Sequence, residues 1–534
     1  MTYHLLTAAA IVMATSMPSQ AQSWLDYDQT VARYPLLQSS NAATLTTYSP
    51  SDSSQLLLGD ATLTMGTAQG HLARPGASPH AWEAQARVQS IYRMSRRVVV
   101  RGMMDYHYGW GSQAGGSVWI DPEQMPFDIT ETTDSTRGKT SLESYRLMGE
   151  VGVGLGHGVS LGGCFDYTTA SGAKRKDPRH TVSLMHCLAS VGATWHGGGF
   201  TIGGNYLFGR TTQALKFSTV GRTDQIYHYL VNHGAYYGRE ETTDGNGYVG
   251  SANERPWLDI KHGLAMLAGY HHTTWDWVIE GQWTHRHGHY GLESPSMIDF
   301  NRHKGDEWSV STWWQHLSGS DLQRVKVYYH RQDVKDNERT YRIITTGGVT
   351  DVAYYDDRHV GDARKSTLGV SGEVQWGVTR QLATWRLQAA LQHSRRSITA
   401  SLYPYYRQQQ SHFTELAVTG ERNWLTRADH TWSLALTAGW GDGGGTAAHD
   451  GVYQTPSDDA TAPRQHMLYL MRQYEYLTAS RLLTGLEARW SIPVNSHRMR
   501  LYLDCTYRYS QAFSVHYLED GHRHQGALSI GCLF

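Results

Sequence analysis

Beyond its first residues this chain has no run approaching the roughly 20 consecutive apolar residues that a membrane-spanning helix requires. Its mean hydropathy is −0.49, a value ordinary for a water-soluble protein. Phenylalanine is scarce, at 9 residues against 33 Tyr and 18 Trp. Cysteine (4) and proline (14) are few as well, so neither a disulfide-dense scaffold nor a proline-rich disordered tract fits. Charge of one sign is also missing. A net charge of −1 offers no basic surface to argue for nucleic acid, and no nucleic-acid partner is expected.

What is present is alternation. In Trp432–Trp440, Trp432, Leu434, Leu436, Ala438 and Trp440 share one parity, and Ser433, Ala435, Thr437 and Gly439 the other. Successive side chains of a strand point to opposite faces, so one face of this segment is apolar and framed by Trp. Tilted by about 40°, such a strand climbs roughly 2.6 Å per residue. The eight steps between the two Trp residues then span about 21 Å, close to the roughly 25 Å apolar band of an outer-membrane barrel. Averaging over both faces hides this band from hydropathy. The surplus of Tyr and Trp agrees, because amphipathic rings collect at membrane–water boundaries. The pattern recurs in Trp82–Tyr92, Val98–Trp110, Leu368–Val378 and Met499–Tyr509.

Half-buried strands of a soluble sandwich also alternate, but the connections separate the two cases. Tight turns fall near Ser95-Arg96, Gly156–Gly158, Gly197–Gly199, Thr273-Thr274, Ser318–Ser320, Thr379-Arg380, Arg427–Asp429 and Val494–Ser496. Between them lie longer polar segments at 111–143, 171–180, 214–257, 291–305, 334–363, 395–410, 442–479 and 512–523. Short periplasmic turns opposite long extracellular loops are the habit of outer-membrane barrels. The expected fold is therefore all-β: a transmembrane antiparallel β-barrel of about 18 strands, with about 16 as the fallback, over residues 58–534. Residues 1–21 read as a signal peptide, with an apolar run Leu5–Met17 and a small-x-small site at Ser19-Gln20-Ala21. Its n-region contains no Lys or Arg. Residues 22–57 are expected to form a periplasmic segment or plug. The expected location is the cell outer membrane, with lipid and lipopolysaccharide as surroundings.

The Asn41-Ala42-Ala43-Thr44-Leu45 element and the aromatic ending Cys532-Leu533-Phe534 resemble those of uncharacterised outer-membrane barrels of Bacteroidota. The resemblance implies a whole-chain barrel architecture and brings no catalytic residues with it. It also hints at work beside an energised uptake receptor or a surface lipoprotein.

Among candidate sites, His285, His287 and His289 alternate along one strand and could converge on a metal ion. Their parity is that of Trp275, Trp277, Ile279 and Trp283, which places them outward at headgroup level, so no metal site is assigned. Arg101, Asp105, Glu373, Arg386, Glu487, Arg489, Arg500, Asp504 and Arg508 fall on inward faces. This mixture suits a paired polar network better than a selectivity ring of one sign. Tyr354-Tyr355-Asp356-Asp357 and Tyr403-Pro404-Tyr405-Tyr406-Arg407 could stack on sugars or aromatic ligands. No Gly-x-Ser-x-Gly element is present, so no enzymatic activity, catalytic residue or cofactor is expected. The favoured reading is a channel or accessory component of nutrient uptake. Its alternative is a structural, assembly or surface-binding barrel with a sealed lumen, and a membrane-embedded hydrolase comes last. Phe534 is expected to close the lipid-facing row Gly526, Leu528, Ile530, Cys532 at the periplasmic rim. Finally, Cys164 and Cys187 flank the 171–180 loop symmetrically and are expected to be cross-strand neighbours, within reach of a disulfide. Cys505 and Cys532 flank 512–523 in nearly the same way, both on the lipid face.

Overall fold

The computed structural model describes residues 27–48, 57–219, 225–245, 247–250, 254–294, 297–378, 382–494 and 499–534. The signal-peptide segment 1–21, the turn at Thr379-Arg380 and most of that at Val494–Ser496 lie outside the described residues. In chain order the strands are β1 (Leu57–Gln69), β2 (His80–Arg93), β3 (Val98–Ala114), β4 (Asp128–Thr130), β5 (Gly138–Gly156), β6 (Val159–Lys174), β7 (Arg179–Gly197), β8 (Phe200–Ser218), β9 (His228–Asn232), β10 (Gly238–Thr242), β11 (Arg255–His271), β12 (Trp275–Gly291), β13 (Asp299–Ser318), β14 (Asp321–Thr346), β15 (Val349–Trp376), β16 (Trp385–Leu402), β17 (Tyr405–Leu425), β18 (Thr431–Val452), β19 (Arg481–Val494), β20 (Met499–Ala512) and β21 (His522–Leu533). Eighteen of them form one antiparallel sheet, and β4, β9 and β10 form a separate three-stranded sheet.

The large sheet closes on itself. β1 pairs with β2 along one edge and with β21 along the other, so no edge is left open. At the seam, Gly59 N donates to Phe534 O (2.7 Å) and Phe534 N donates to Gly59 O (3.0 Å). The Phe534 ring covers Gly59, where an added Cβ would lie 2.3 Å from the ring. The strand count and the faces agree with the alternation. Leu436 is 59% exposed on the outer wall, whereas Asp166 is 8% exposed on the inner one. Trp283 and Trp308 are cross-strand partners near the top of the apolar band, and Trp432 and Trp490 are partners near its base. A closed, even-stranded barrel with an apolar outer belt between aromatic rows satisfies every backbone group internally, and it is a membrane β-barrel of the outer-membrane kind.

The expected loops and the expected cysteine pairing need correction. Segments 334–363 and 395–410 are not loops, and 442–479 begins as strand: β14 and β15 run on to meet at Gly347-Gly348, β16 and β17 meet at Tyr403-Pro404, and β18 continues to Val452. Polar residues on both faces mark where these strands leave the lipid, and a ladder held by backbone bonds does not end there. Gly347 and Gly348 take φ of 61° and 83°, the pair of positive values a two-residue hairpin turn requires. The last correction concerns the cysteines. Cys164 pairs with Ser190, and Cys187 with Tyr167. The hairpin turns later than the midpoint of the two cysteines, so the register is offset by three residues. An odd offset exchanges faces, and Cys164 points inward while Cys187 points to lipid. Cys505 and Cys532 share the outer face but pair with Leu528 and Leu501. All four thiols are free.

Candidate functional site

The lumen is occupied from both ends by the chain itself. From the end with the tight turns, residues 27–48 enter as α1 (Tyr27–Arg33) followed by two 3-10 turns, Pro35–Gln38 and Ala42–Thr47. These pieces are too short to be stable alone, and the wall holds them. Asn41 begins the second turn: its Oδ1 accepts from Ala43 N (3.0 Å), while its Nδ2 donates to the carbonyls of Ala193 on β7 and Gly204 on β8, both at 3.1 Å. Beneath Asn41-Ala42-Ala43 lies a row of inward glycines on three adjacent strands, Gly152, Gly162 and Gly192, each the register partner of the next. An added Cβ would stand 2.1 Å from Ala43 N at Gly162, 2.9 Å from Ala42 O at Gly152, and 2.5 Å from Asn41 Oδ1 at Gly192. Small residues on both sides let one backbone lie directly on the wall.

The rest of the inner segment is tied around the circumference. Ser40 donates to Glu280 from its backbone N (3.1 Å) and its Oγ (2.5 Å). Trp313 Nε1 donates to Gln38 Oε1 (3.0 Å), and Gln315 Nε2 to Arg33 O (3.0 Å). Arg101, paired with Glu150 at 2.5 Å, also donates to Leu37 O at 2.7 Å. Tyr27, Leu37, Leu45 and Tyr48 pack on the wall residues Leu58, Ile91 and Val99.

At the opposite end, most of the connections 115–137 and 219–254 fold into the mouth. Their strands β4, β9 and β10 make the small sheet, whose Ile129, Tyr229 and Val231, with Phe127 just ahead of β4, form a core with Trp257 and Tyr290 of the wall. The Lys174 ammonium and the Glu131 carboxylate form a fully buried ion pair there. Ser117 Oγ donates to Asp128 (2.6 Å), and burial pushes the Asp128 carboxyl up to about 6. A second helix, α2 (Met467–Thr478), lies over this roof. Its Tyr469 and Leu470 pack on Leu230 and Tyr236, and Glu475 accepts from the backbone N of His516, Tyr517 and Leu518 at 2.7, 2.8 and 3.0 Å.

A cavity of about 500 Å³ lies on the lumen side of the roof. It is lined by side chains such as His107, His186, Thr211, Gln213 and Lys261 of the wall and Gln124 of the mouth loop. Of its charged lining residues, Asp259 and Lys261 are engaged with neighbours, and Asp121 is exposed. Asp259 accepts from Arg286 Nε (3.1 Å) and lies 2.8 Å from His303 Nε2, and Lys261 pairs with Glu307 at 2.8 Å. Arg286 also donates to Gln124 O (2.8 Å), joining wall to roof. Sequence reasoning missed this network. Its signal was the inward parity of Arg286, which sits between the outward His285 and His287.

The charges expected to be lumenal do lie on inward faces, and several are paired or stacked. Arg386 meets Glu421 at 2.6 Å, Arg87 meets Asp105 at 2.7 Å, and Arg489 lies 3.9 Å over the Tyr502 ring. His285 and His287 face outward, as expected. His285 Nδ1 lies 3.1 Å from Asp306 Oδ1, and the His287 ring stacks on His262. Among the described residues no three His, Cys, Asp or Glu side chains form a metal-holding group. The tyrosines are largely structural. Tyr354 OH accepts from Asp299 N (2.8 Å) beneath the Arg339 guanidinium, and Tyr405 OH donates to Ala460 O (3.2 Å). Tyr355 and Tyr403 remain exposed.

The chain belongs to the family of unknown function DUF6850, whose profile matches residues 47–534. The inner segment thus lies almost wholly ahead of the matched region. No curated protein sequence matches the chain. Among solved structures it is similar to the ferric preacinetobactin receptor BauA from Acinetobacter baumannii (TM-score 0.40, 8% identity, 90% of this chain and 80% of that one). It is also similar to the outer membrane transporter YddB from Escherichia coli (TM-score 0.40, 6% identity, 89% and 81%). No residue, ligand or role is carried over from them.

Proposed function

We propose that this protein is a gated component of nutrient uptake across the outer membrane, in which residues 27–48 act as a plug and the mouth loops as a roof. The row Gly152–Gly162–Gly192 beneath Asn41-Ala42-Ala43 carries this reading. It is a fitted seat on the wall for a segment that secondary structure alone does not hold. The seat involves a handful of hydrogen bonds, whereas each barrel strand is fixed by a full ladder, so the plug is the part that can leave. An energised uptake receptor or a surface lipoprotein is the partner class that would displace plug or roof. Outer-membrane lipid and lipopolysaccharide surround the barrel, and kinship with Bacteroidota barrels belongs to the same reading. No catalytic role is assigned; Asp259, His107 and His186 at the cavity are engaged with neighbours. The alternative, a permanently sealed structural barrel, draws on the buried Lys174–Glu131 pair and the wall-to-roof bonds of Arg286.

Planar-bilayer recording tests the gate. The full chain should be silent or nearly so, and a variant lacking residues 27–48 should conduct. An open pore in the full chain would refute the plug. Continued silence of a correctly folded deletion variant would favour the sealed barrel.

A further inference from the structure

The outer wall is uneven just above its aromatic row. On β13 to β16 the first three outward positions beyond Trp308, Tyr329, Leu368 and Leu391 include Lys304, Arg331, Lys335, Arg364 and Arg395, interspersed with Asp306, Asp333, Ser366, Asp362 and His393 on the same lipid-side parity. Across the barrel the matching positions are Tyr507 and Tyr509 on β20, Gly526 and His524 on β21, and Thr67 and Gln69 on β1, without a lysine or arginine. The register brings the cations together: Lys304 is the partner of Lys335, and Asp333 that of Arg364. Asp333 takes up Arg331 and Arg364, each at 2.8 Å. Asp306 is turned to His285, and Asp362 to His359 at 2.7 Å. Among the described residues Lys304, Lys335 and Arg395 pair with no carboxylate, and Arg395 donates to His393 Nε2 at 2.9 Å. Directly below, Tyr329, Leu368, Val370 and Leu391 present an exposed apolar wall.

We infer that this arc is a binding site for a phosphorylated glycolipid of the outer leaflet. Acyl chains would lie on the apolar wall and phosphates among Lys304, Lys335 and Arg395. Cations held at headgroup height attract anionic lipid, and Arg presents a fork that matches phosphate oxygens. A zwitterionic phospholipid has no need of five clustered cations, and an apolar protein partner would not meet them at this height. The inference rests on the membrane placement of the barrel and not on its role in uptake.

The test titrates the full chain in mild detergent with bis-phosphorylated lipid A, and with the same glycolipid stripped of both phosphates, and reads bound lipid by native mass spectrometry. The wild-type chain should retain the phosphorylated form preferentially, and less of it as ionic strength approaches about 1 M, where screening is short-ranged. Lys304→Gln/Arg331→Gln/Lys335→Gln/Arg395→Gln should lower retention by about tenfold or more, since each such cation contributes severalfold. Arg331→Lys/Arg395→Lys should keep most of it. If the quadruple variant does not fold, Lys304→Gln/Lys335→Gln gives the decision on a smaller change. Equal retention of both glycolipids, or retention unmoved by removing the charges, overturns the site. A conducting or silent barrel in the bilayer assay leaves this result untouched.

Discussion

A methyl group at Gly162 has nowhere to go, because its Cβ would meet the backbone N of Ala43. Overpacking of this kind costs about 1–3 kcal/mol or more, and here the loosely tied partner gives way before the sheet does. Gly162→Val should therefore make residues 27–48 accessible to protease while the folded barrel keeps its resistance to heat and detergent. An unchanged digestion pattern would show that the seat tolerates bulk. Asn41→Ala removes both bonds to the strand carbonyls and should weaken the same contact by about 1–3 kcal/mol. Asp128 provides a test of the roof. Its folded pKa, about 6, lies above the ordinary 3.8, so the roof gains stability from the protonated form below about pH 4. That contribution is lost as pH rises through about 6. Glu123 and His180, both with lowered pKa, act in the opposite direction, so the contribution of Asp128 is read from hydrogen exchange across 117–130 in wild type against Asp128→Asn, corrected for intrinsic pH dependence: the wild type should lose more protection than the variant on going from pH 4 to pH 7. The same pH response in wild type and Asp128→Asn would contradict it. At this scale the sequence was partly legible. Inward and outward side chains could be sorted by parity, but no parity rule marks Gly162 as a seat, since a glycine looks the same wherever it lies.

Among the elements, strands were easier to read than connections. Alternation continues wherever a strand continues, yet outside the lipid both faces turn polar and the contrast fades, so the upper halves of β14 to β17 read as loops. The long connections were visible as polar stretches, but their apolar core residues keep the strand period for a single step only, as in Phe127/Ile129 and Tyr229/Val231, too short a run to mark an element. This changes the topology experiment. An epitope inserted at Gly347-Gly348 should be reached by antibody on intact cells. One inserted at Thr130, inside β4, should stay silent or disrupt folding, although both lie in segments read as surface loops. Equal labelling of the two would mean that the roof is open. The register of β6 and β7 failed for a related reason. Where Lys174 ends one strand and Arg179 begins the next is a matter of turn geometry, and an error of a residue or two there moves both cysteines.

For the whole molecule, the closing seam between β1 and β21 extends to Phe534. Phe534 exchanges two backbone bonds with Gly59 and lays its ring over it, so deleting Phe534 removes the end of the β21–β1 seam. The expected outcome is less heat-modifiable, folded protein in the outer membrane, and wild-type amounts would show that the seam closes without it. The residues alone determined the class of molecule, a barrel of about 18 strands and the face of most wall side chains. Those properties are local: a period of two, a parity and an aromatic boundary are written within ten consecutive residues or so. Only the tertiary structure decided what fills the barrel, how its hairpins register and which outer strands gather the cations. Each of these depends on residues distant in sequence, such as Ala43 on Gly162 or Lys304 beside Lys335, and pairing register and circular order set their proximity rather than any pattern along one strand.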